Sequence, residues 1–165
     1  YLPPSAANGV FDERTRQALY AFQGWEGLPR DGLVGAETRA RLVHASRPRP
    51  TSGLPGGLEI HTTRQVLLLV KNGRTVRAIH VSTGSPGRST PQGRFSVTSK
   101  ERMSYSRPFK VWMPYALYFH GGIAMHEYPD VPPYAASHGC VRMPASEAEG
   151  VWRWSGRYTP VWVVP

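Results

Sequence analysis

The spacing of hydrophobic positions is helical in the part of this chain before residue 45. Four apolar side chains recur at the i, i+3, i+4 spacing that makes one face of a helix: Ala18, Leu19, Phe22 and Trp25. Asp12 stands where an N-cap is expected, and Gly27 stands where a helix would end. The pattern therefore predicts a helix over residues 13–25.

A second, shorter helix is predicted from a pseudo-repeat. "GVFDERTRQAL" begins at Gly9 and "GLVGAETRARL" begins at Gly32. Each copy has a glycine that marks a turn, two apolar residues, a Thr-Arg pair and a closing leucine. The second copy predicts a helix over residues 37–44 that buries Leu42 and Val43.

The helical period ends at a segment rich in proline, serine and glycine. "HASRPRPTSGLPGG", residues 44–57, has no hydrophobic periodicity. We interpret residues 45–56 as an inter-domain linker, which its prolines should keep semi-extended.

The period after the linker is that of β-strands. "QVLLLV", "NG" and "TVRAIHVS" form a strand, a two-residue type I′ turn and a second strand. Alternate residues of the second strand are expected to point to opposite faces of the sheet, with Val76, Ala78, His80 and Ser82 on one face and Arg77, Ile79 and Val81 on the other. Further β segments are expected at "GRFSVTS", "FKVWMPYALYF", "GIAMHEY" and "TPVWVVP", and only "SEAEGVWRWS" is predicted to be helical. The expected fold is a small N-terminal α-helical domain, residues 1–44, followed by a mainly β domain, residues 57–165.

Composition and charge exclude several classes. The chain has 165 residues, 40% of them hydrophobic, so it can bury a real core. The net charge of +9 favours anionic partners. The sequence has no Lys/Arg block with interleaved aromatic residues, however, so nucleic-acid binding is not predicted. No run is long enough to predict a transmembrane segment. Because the chain begins at Tyr1 without a methionine or a signal-like segment, we expect it to be a processed or trimmed piece of a longer protein.

The single cysteine, Cys140, lies in "AASHGCVRM". A free cysteine is most often a small buried hydrophobe, but three local features argue against that interpretation here. Gly139 allows a tight backbone approach, and the consecutive amides of His138, Gly139 and Cys140 can point at one anion. Arg142 shares a face with Cys140 if a strand continues there, and a nearby cation favours the nucleophilic thiolate. The stretch therefore predicts acyl transfer.

A nucleophilic thiol needs a base, and three histidines are candidates. His138 is too close in sequence to Cys140 for well-directed contact. His126 ends a predicted strand, and the loop that follows can fold back toward the cysteine, so we prefer it. His120 is the alternative base, and its other interpretation is a histidine bonded to nearby backbone. A zinc site is disfavoured because the spacings match no compact ligand motif, and no metal or cofactor is expected.

Two stretches in the β part resemble a known family. "IAMHEYPDVPPYAASHGCVRM" resembles the active-site segment of the YkuD-like L,D-transpeptidases: a histidine, a loop of about a dozen residues, then Ser/Thr-x-Gly-Cys-x-Arg/Asn. "STPQGRFSV" resembles that family's Thr-Pro-x-Gly-x-Phe strand entry. The resemblance implies an L,D-transpeptidase-like β-sandwich. Glu127 stands where the family often has glycine or serine, and because a backbone carbonyl orients the imidazole there, function should survive.

The resemblance also implies an activity. The family attacks the third residue of a peptidoglycan stem peptide, usually a diamino acid, releases the terminal D-alanine through a cysteine thioester and forms a 3→3 cross-link. It implies Cys140 as nucleophile, His126 as base and the amides of residues 138–140 as oxyanion donors. Arg142 is expected near a substrate carboxylate or bracing the loop. An L,D-carboxypeptidase or cysteine peptidase with the same dyad, and an inactive wall-binding protein, stay open.

Four more side chains are expected at the substrate. Ser137 and His138 would shape the turn and contact substrate, Tyr128 and Tyr134 would form a lid, and His120 would line the pocket. For the two tyrosines, ordinary packing is the alternative.

The N-terminal part resembles the peptidoglycan-binding helical domain of many cell-wall enzymes, on "TRQALYAFQ" and "GLPRDGLVGAET". That family's domain begins with another helix, so this copy is expected to be truncated; an inert helical spacer is the alternative. The expected partners are peptidoglycan stem peptides and glycan strands, and the expected location is outside the cytoplasm, secreted or associated with a bacterial cell wall. We expect a monomer.

Overall fold

The computed structural model describes residues 1–3 and 6–165. Its first helix, α1, spans Glu13–Glu26. The Asp12 side chain caps it by accepting a 2.8 Å hydrogen bond from the amide of Thr15, and Gly27 ends it in the left-handed conformation. The predicted helix and both of its caps are confirmed.

The second helix, α2, spans Ala36–His44. The prediction that it buries Leu42 and Val43 is wrong, since these side chains are 47% and 79% exposed. The buried amide of Gln23 instead fixes the segment before α2, because its Nε2 atom donates to the Asp31 carboxylate and to the Leu33 carbonyl oxygen. Thr38 packs there in the first turn, so the rest of α2 extends into solvent.

The remaining strands form two sheets. The first has five strands in the order β3-β2-β1-β9-β4: β1 Gly57–His61, β2 Val66–Lys71, β3 Arg74–His80, β4 Gly93–Ser96 and β9 Pro160–Val164. The second has four in the order β5-β6-β7-β8: β5 Ser99–Ser106, β6 Val111–His120, β7 Ile123–Glu127 and β8 Val141–Met143. Helix α3, Ala145–Trp154, follows β8. One apolar core combines residues of both sheets and α3, which is a β-sandwich.

The predicted hairpin is β2 and β3, joined by Asn72 and Gly73, both at positive φ as a type I′ turn requires. The expected opposition of two faces in β3 is confirmed: Ile79 and Val81 lie in the core of the sandwich, whereas Ala78 and His80 pack toward α1, so both faces are buried at the end of the strand. Helix α1 packs on the outer face of these strands, so the sheet is covered on both sides there. This double burial explains the continuous apolar run of β2.

Strands β1 and β5 lie outside the predicted β segments. β1 alternates the apolar Leu58 and Ile60 with the polar Glu59 and His61, but five residues next to a proline- and glycine-rich segment are too few to predict a strand. All five are buried, and His61 Nε2 lies 2.7 Å from the Glu59 carboxylate. β5 is an edge strand with mostly exposed or half-buried residues, so it lacks a hydrophobic signal.

The segment before β1 has no helix or strand, yet it is fixed to the sheet. Leu54 is buried against β2, and the amides of Thr51 and Ser52 donate to the Glu59 carboxylate. On the same face of β1, the Trp25 ring of α1 packs edge-on against His61 and lies under the Arg64 guanidinium. The helical part and the β-sandwich therefore pack directly on each other. Within the described residues, no helix has the length and apolar character needed to cross a bilayer.

Candidate active site

The candidate site lies on the face of the second sheet that points away from the core. Met125 of β7 and Val141 of β8 belong to the core, so their neighbours His126 and Arg142 point to the opposite face. His126 and Arg142 are register partners in the parallel pair β7 and β8. Cys140 comes two residues before Arg142 and shares its face, as the sequence predicts.

A cavity of about 170 Å³ brings the predicted residues together. It is lined by Phe109, Val111, Met113, His126, Tyr128, Ser137, His138, Cys140 and Arg142. The β5–β6 hairpin supplies its apolar wall, and the loop before β8 supplies the thiol. Cys140 is half-buried and lines this cavity, so it is not sealed in the apolar core.

His126 is held in one orientation by its backbone neighbour. Its Nδ1 atom lies 2.7 Å from the carbonyl oxygen of Glu127. Since a carbonyl only accepts, Nδ1 carries the proton and Nε2 carries the free lone pair. Burial lowers the pKa of His126 below its usual 6.5, and the charge of Arg142 lowers it further, although the Glu127 carbonyl opposes both. The imidazole is therefore neutral at neutral pH and can accept a proton.

The Cys140 thiol has the opposite shift. Burial raises its pKa above 9.0, and this outweighs the lowering by the backbone amide of Ala124 and by the Arg142 charge. The expectation that the neighbouring cation keeps the sulfur ionised is therefore wrong for the resting protein. A protonated thiol beside a neutral imidazole requires that the proton leave as the sulfur attacks.

The turn before Cys140 depends on Gly139, whose φ of 115° is rarely open to other residues. The Ser137 hydroxyl spans the turn: it accepts a 3.1 Å hydrogen bond from the Gly139 amide and donates to the Cys140 carbonyl oxygen. The expectation of three converging amides is therefore corrected, because the Gly139 amide already has a partner. The amides of His138 and Cys140 are left as candidate oxyanion donors.

Thr90 is a positioning residue that the sequence reasoning did not identify. Its buried hydroxyl donates a 2.9 Å hydrogen bond to the Gly139 carbonyl oxygen and accepts one of 2.9 Å from the Gly84 amide. Gly84 has no space for a side chain, since a Cβ there would lie 2.1 Å from the Arg88 carbonyl oxygen. The sequence signal for it is the Thr-Pro of "STPQGRFSV", which is distant in sequence but holds the turn before Cys140.

Arg142 and Tyr128 form one wall of the cavity. The guanidinium lies 4.1 Å from the centre of the Tyr128 ring, which also packs edge-on against His126 at 5.9 Å. This cation–π contact keeps the positive charge beside both titrating groups.

The other predicted site residues are placed differently. The His138 ring is exposed at the cavity, 4.6 Å from the ring of Phe109. Tyr134 is 60% exposed and His120 packs on Phe95 at the end of β6, and neither lines the cavity. Among residues 1–3 and 6–165, no three His, Cys, Asp or Glu side chains converge as metal ligands would.

Two protein-family models match the chain. Residues 55–163 match the L,D-transpeptidase catalytic domain (YkuD), and residues 1–42 match a putative peptidoglycan binding domain. A comparison with curated protein sequences gave no significant match.

Solved structures give the same similarity. An L,D-transpeptidase from Xylanimonas cellulosilytica is 34% identical with a TM-score of 0.91, over 99% of this chain and 86% of that one. One from Stackebrandtia nassauensis is 25% identical with a TM-score of 0.65, over 96% and 82%. An L,D-transpeptidase from Mycobacterium smegmatis, at 21% identity and a TM-score of 0.61 over 66% and 58%, shares the fold.

Proposed function

This chain belongs to the L,D-transpeptidase family, and from that premise we propose that it joins peptidoglycan stem peptides through a thioester on Cys140. The observation that carries the proposal is the single cavity shared by a half-buried thiol and an imidazole whose Nδ1 is fixed by the Glu127 carbonyl. A base with its free nitrogen directed by a hydrogen bond is what thiol attack needs.

In the first half of the reaction, Cys140 Sγ attacks the carbonyl carbon of the third residue and its proton passes to His126 Nε2. The amides of His138 and Cys140 stabilise the oxyanion. The intermediate collapses by breaking the peptide bond, His126 returns the proton to the amine of the departing D-alanine, and a thioester remains.

In the second half, a side-chain amine of another stem attacks the thioester. His126 takes a proton from this amine, the carbon–sulfur bond breaks, and the thiol regains a proton as the 3→3 cross-link forms. Water in place of the amine would give a trimmed stem, which is the carboxypeptidase outcome.

The wider setting follows from the two family matches. Peptidoglycan-related domains imply a cell-wall context. Within our proposal the protein acts outside the cytoplasm as a monomer, residues 1–44 contact glycan strands, residues 45–56 connect the two domains, and residues 57–165 carry out the transfer.

Intact-mass measurement tests the thioester. Native protein treated with a carbapenem should gain the mass of one acylator, and Cys140→Ala protein should gain none. An unmodified native protein after prolonged incubation would overturn the assignment of Cys140 as nucleophile.

Products distinguish transfer from hydrolysis. Stem tetrapeptide should yield a cross-linked dimer when an amine-bearing acceptor is present. If trimmed tripeptide is the sole product at high acceptor concentration, the protein is a carboxypeptidase; product formation by Cys140→Ala would exclude both.

A further inference from the structure

A second cavity, of about 370 Å³, lies where the helical part meets the catalytic loop. Asp12, Glu13 and Gln17 of the α1 start line one side, and Tyr128, Val131 and Ser146 line the other. We call it the junction groove. It shares Tyr128 with the Cys140 cavity, so one tyrosine separates the two spaces.

Gln17 is the unusual residue of the junction groove. Its side chain is only 8% exposed, and its Oε1 atom is buried without a hydrogen-bond partner in the described part of the chain. The amide cannot be turned to relieve this, because its Nε2 donates a 2.7 Å hydrogen bond to the Glu13 carboxylate, which only accepts. Leaving a buried acceptor unpaired costs free energy, so a hydrogen-bond donor from a bound molecule would stabilise Gln17 Oε1.

The charge of the junction groove selects the donor. Two carboxylates, Asp12 and Glu13, stand at its rim with one cation, Arg14, in a chain whose net charge is +9. Glu13 already pairs with Arg16 at 3.0 Å and is still 64% exposed. Carboxylates beside the unpaired Gln17 Oε1 favour the binding of a protonated primary amine, which has three N–H donors and no acceptor.

We propose that the junction groove binds the side-chain ammonium group of a diamino acid in a stem peptide whose reacting carbonyl occupies the Cys140 cavity. Gln17 Oε1 accepts from the ammonium and Glu13 supplies the opposite charge. The inference rests on the proposed function and adds to it: the helical part completes the peptide site and determines specificity there.

Binding to Cys140→Ala protein, which cannot turn substrate over, tests the site by calorimetry. The probes are a stem tetrapeptide with a free amine on its third residue and the same peptide acetylated at that amine. The free amine should bind at least about tenfold more tightly, as expected for a charge-assisted hydrogen bond. Gln17→Met, which keeps length but removes the acceptor, should reduce the ratio to about twofold or less.

Glu101→Gln removes an exposed carboxylate on the edge strand β5, which does not line the junction groove, and should keep the full ratio. Equal affinity for the two peptides, or an unchanged ratio in Gln17→Met, would overturn the inference. If Gln17→Met does not fold, Glu13→Gln at an exposed position replaces it, and an unchanged ratio there has the same meaning. Carbapenem acylation of native protein separates the two proposals: its loss rejects the thioester, whereas normal acylation with equal peptide affinities rejects only the junction groove.

Discussion

The Nδ1 atom of His126 lies 2.7 Å from the carbonyl oxygen of Glu127, its own neighbour in the chain. The contact needs only a backbone carbonyl, so the glutamate side chain at this position takes no part in it. It fixes the tautomer that leaves Nε2 as the proton acceptor. In our proposal His126 is the base, and local backbone orients it without a third side chain.

The first prediction distinguishes the two candidate bases. His126→Ala should slow carbapenem acylation by about 10²- to 10⁴-fold, the usual cost of removing a general base. His120→Ala should stay within a few-fold of native, because that ring packs on Phe95 outside the cavity. Stopped-flow or mass-based acylation rates measure both. A reversed ranking would assign the base to His120.

The second prediction concerns pH. Proton transfer from thiol to imidazole needs a neutral His126 and a protonated Cys140. The acylation rate should therefore decrease at acid pH, and the midpoint of this decrease should lie below pH 6.5. On the alkaline side the thiol titrates above 9.0. Between these limits the rate should be nearly flat. An acid limb centred above 6.5 would contradict the buried, neutral imidazole.

The variant Arg142→Gln should shift both the acid and the alkaline limit of the pH–rate profile for acylation to higher pH. The guanidinium charge lowers the pKa of His126 and of Cys140, so its removal raises each. The acid limb therefore shifts to higher pH, and so does the onset of thiolate alkylation. Arg153→Gln, at an exposed pair on α3, is the matched control and should leave the profile in place. Opposite shifts of the two limbs would exclude a shared charge effect.

The third prediction concerns Thr90. Thr90→Val keeps the shape but removes the hydroxyl that bonds the Gly139 carbonyl and the Gly84 amide. Leaving these buried groups unpaired should cost about 1–3 kcal/mol of unfolding free energy and slow acylation roughly tenfold. Thr98→Val removes an exposed hydroxyl bonded to the Tyr118 carbonyl and should change little. Chemical denaturation and acylation rates are the measurements.

If Thr90→Val were as active and as stable as Thr98→Val, the hydroxyl would have no part in holding the turn. A loss of stability with an unchanged acylation rate would also count against the positioning role.

The fourth prediction concerns His80, buried between β3 and the loop before the active site. Burial lowers its pKa to about 4, although its Nε2 donates to the Pro132 carbonyl oxygen. Because the unfolded chain binds a proton near 6.5 and the folded chain does not, stability should fall as pH drops from 6.5 toward 4. The loss is about 3 kcal/mol over that window.

Urea unfolding at several pH values measures this dependence. His80→Gln should show a smaller decline between pH 6.5 and 4, whereas His44→Gln, at an exposed position in α2, should show the native decline. A native decline in His80→Gln would assign the pH sensitivity to other groups.

Local patterns predicted the elements whose signals are local. Helix α1 was readable because its cap, apolar stripe and final glycine lie within fifteen residues of one another. The hairpin was readable because a type I′ turn needs Asn-Gly. The Leu42 and Val43 prediction failed because helical spacing identifies an apolar face but not whether another element covers it. β1 was missed because it has only five residues and follows a proline- and glycine-rich segment, and β5 was missed because it is an edge strand with few buried side chains.

The sequence by itself determined the chemistry available: one thiol, a short list of histidines, and a glycine that only a tight turn requires. Tertiary structure decided which of those groups lie together and in what environment. Packing places His126, and not His120, in the same cavity as Cys140. Burial raises the pKa of the Cys140 thiol, whereas the sequence had predicted a thiolate. Packing also brought Thr90 and Gln17 from distant segments to the loop between β7 and β8. Solvent exclusion and long-range contact depend on the whole fold, and no local stretch of sequence records them.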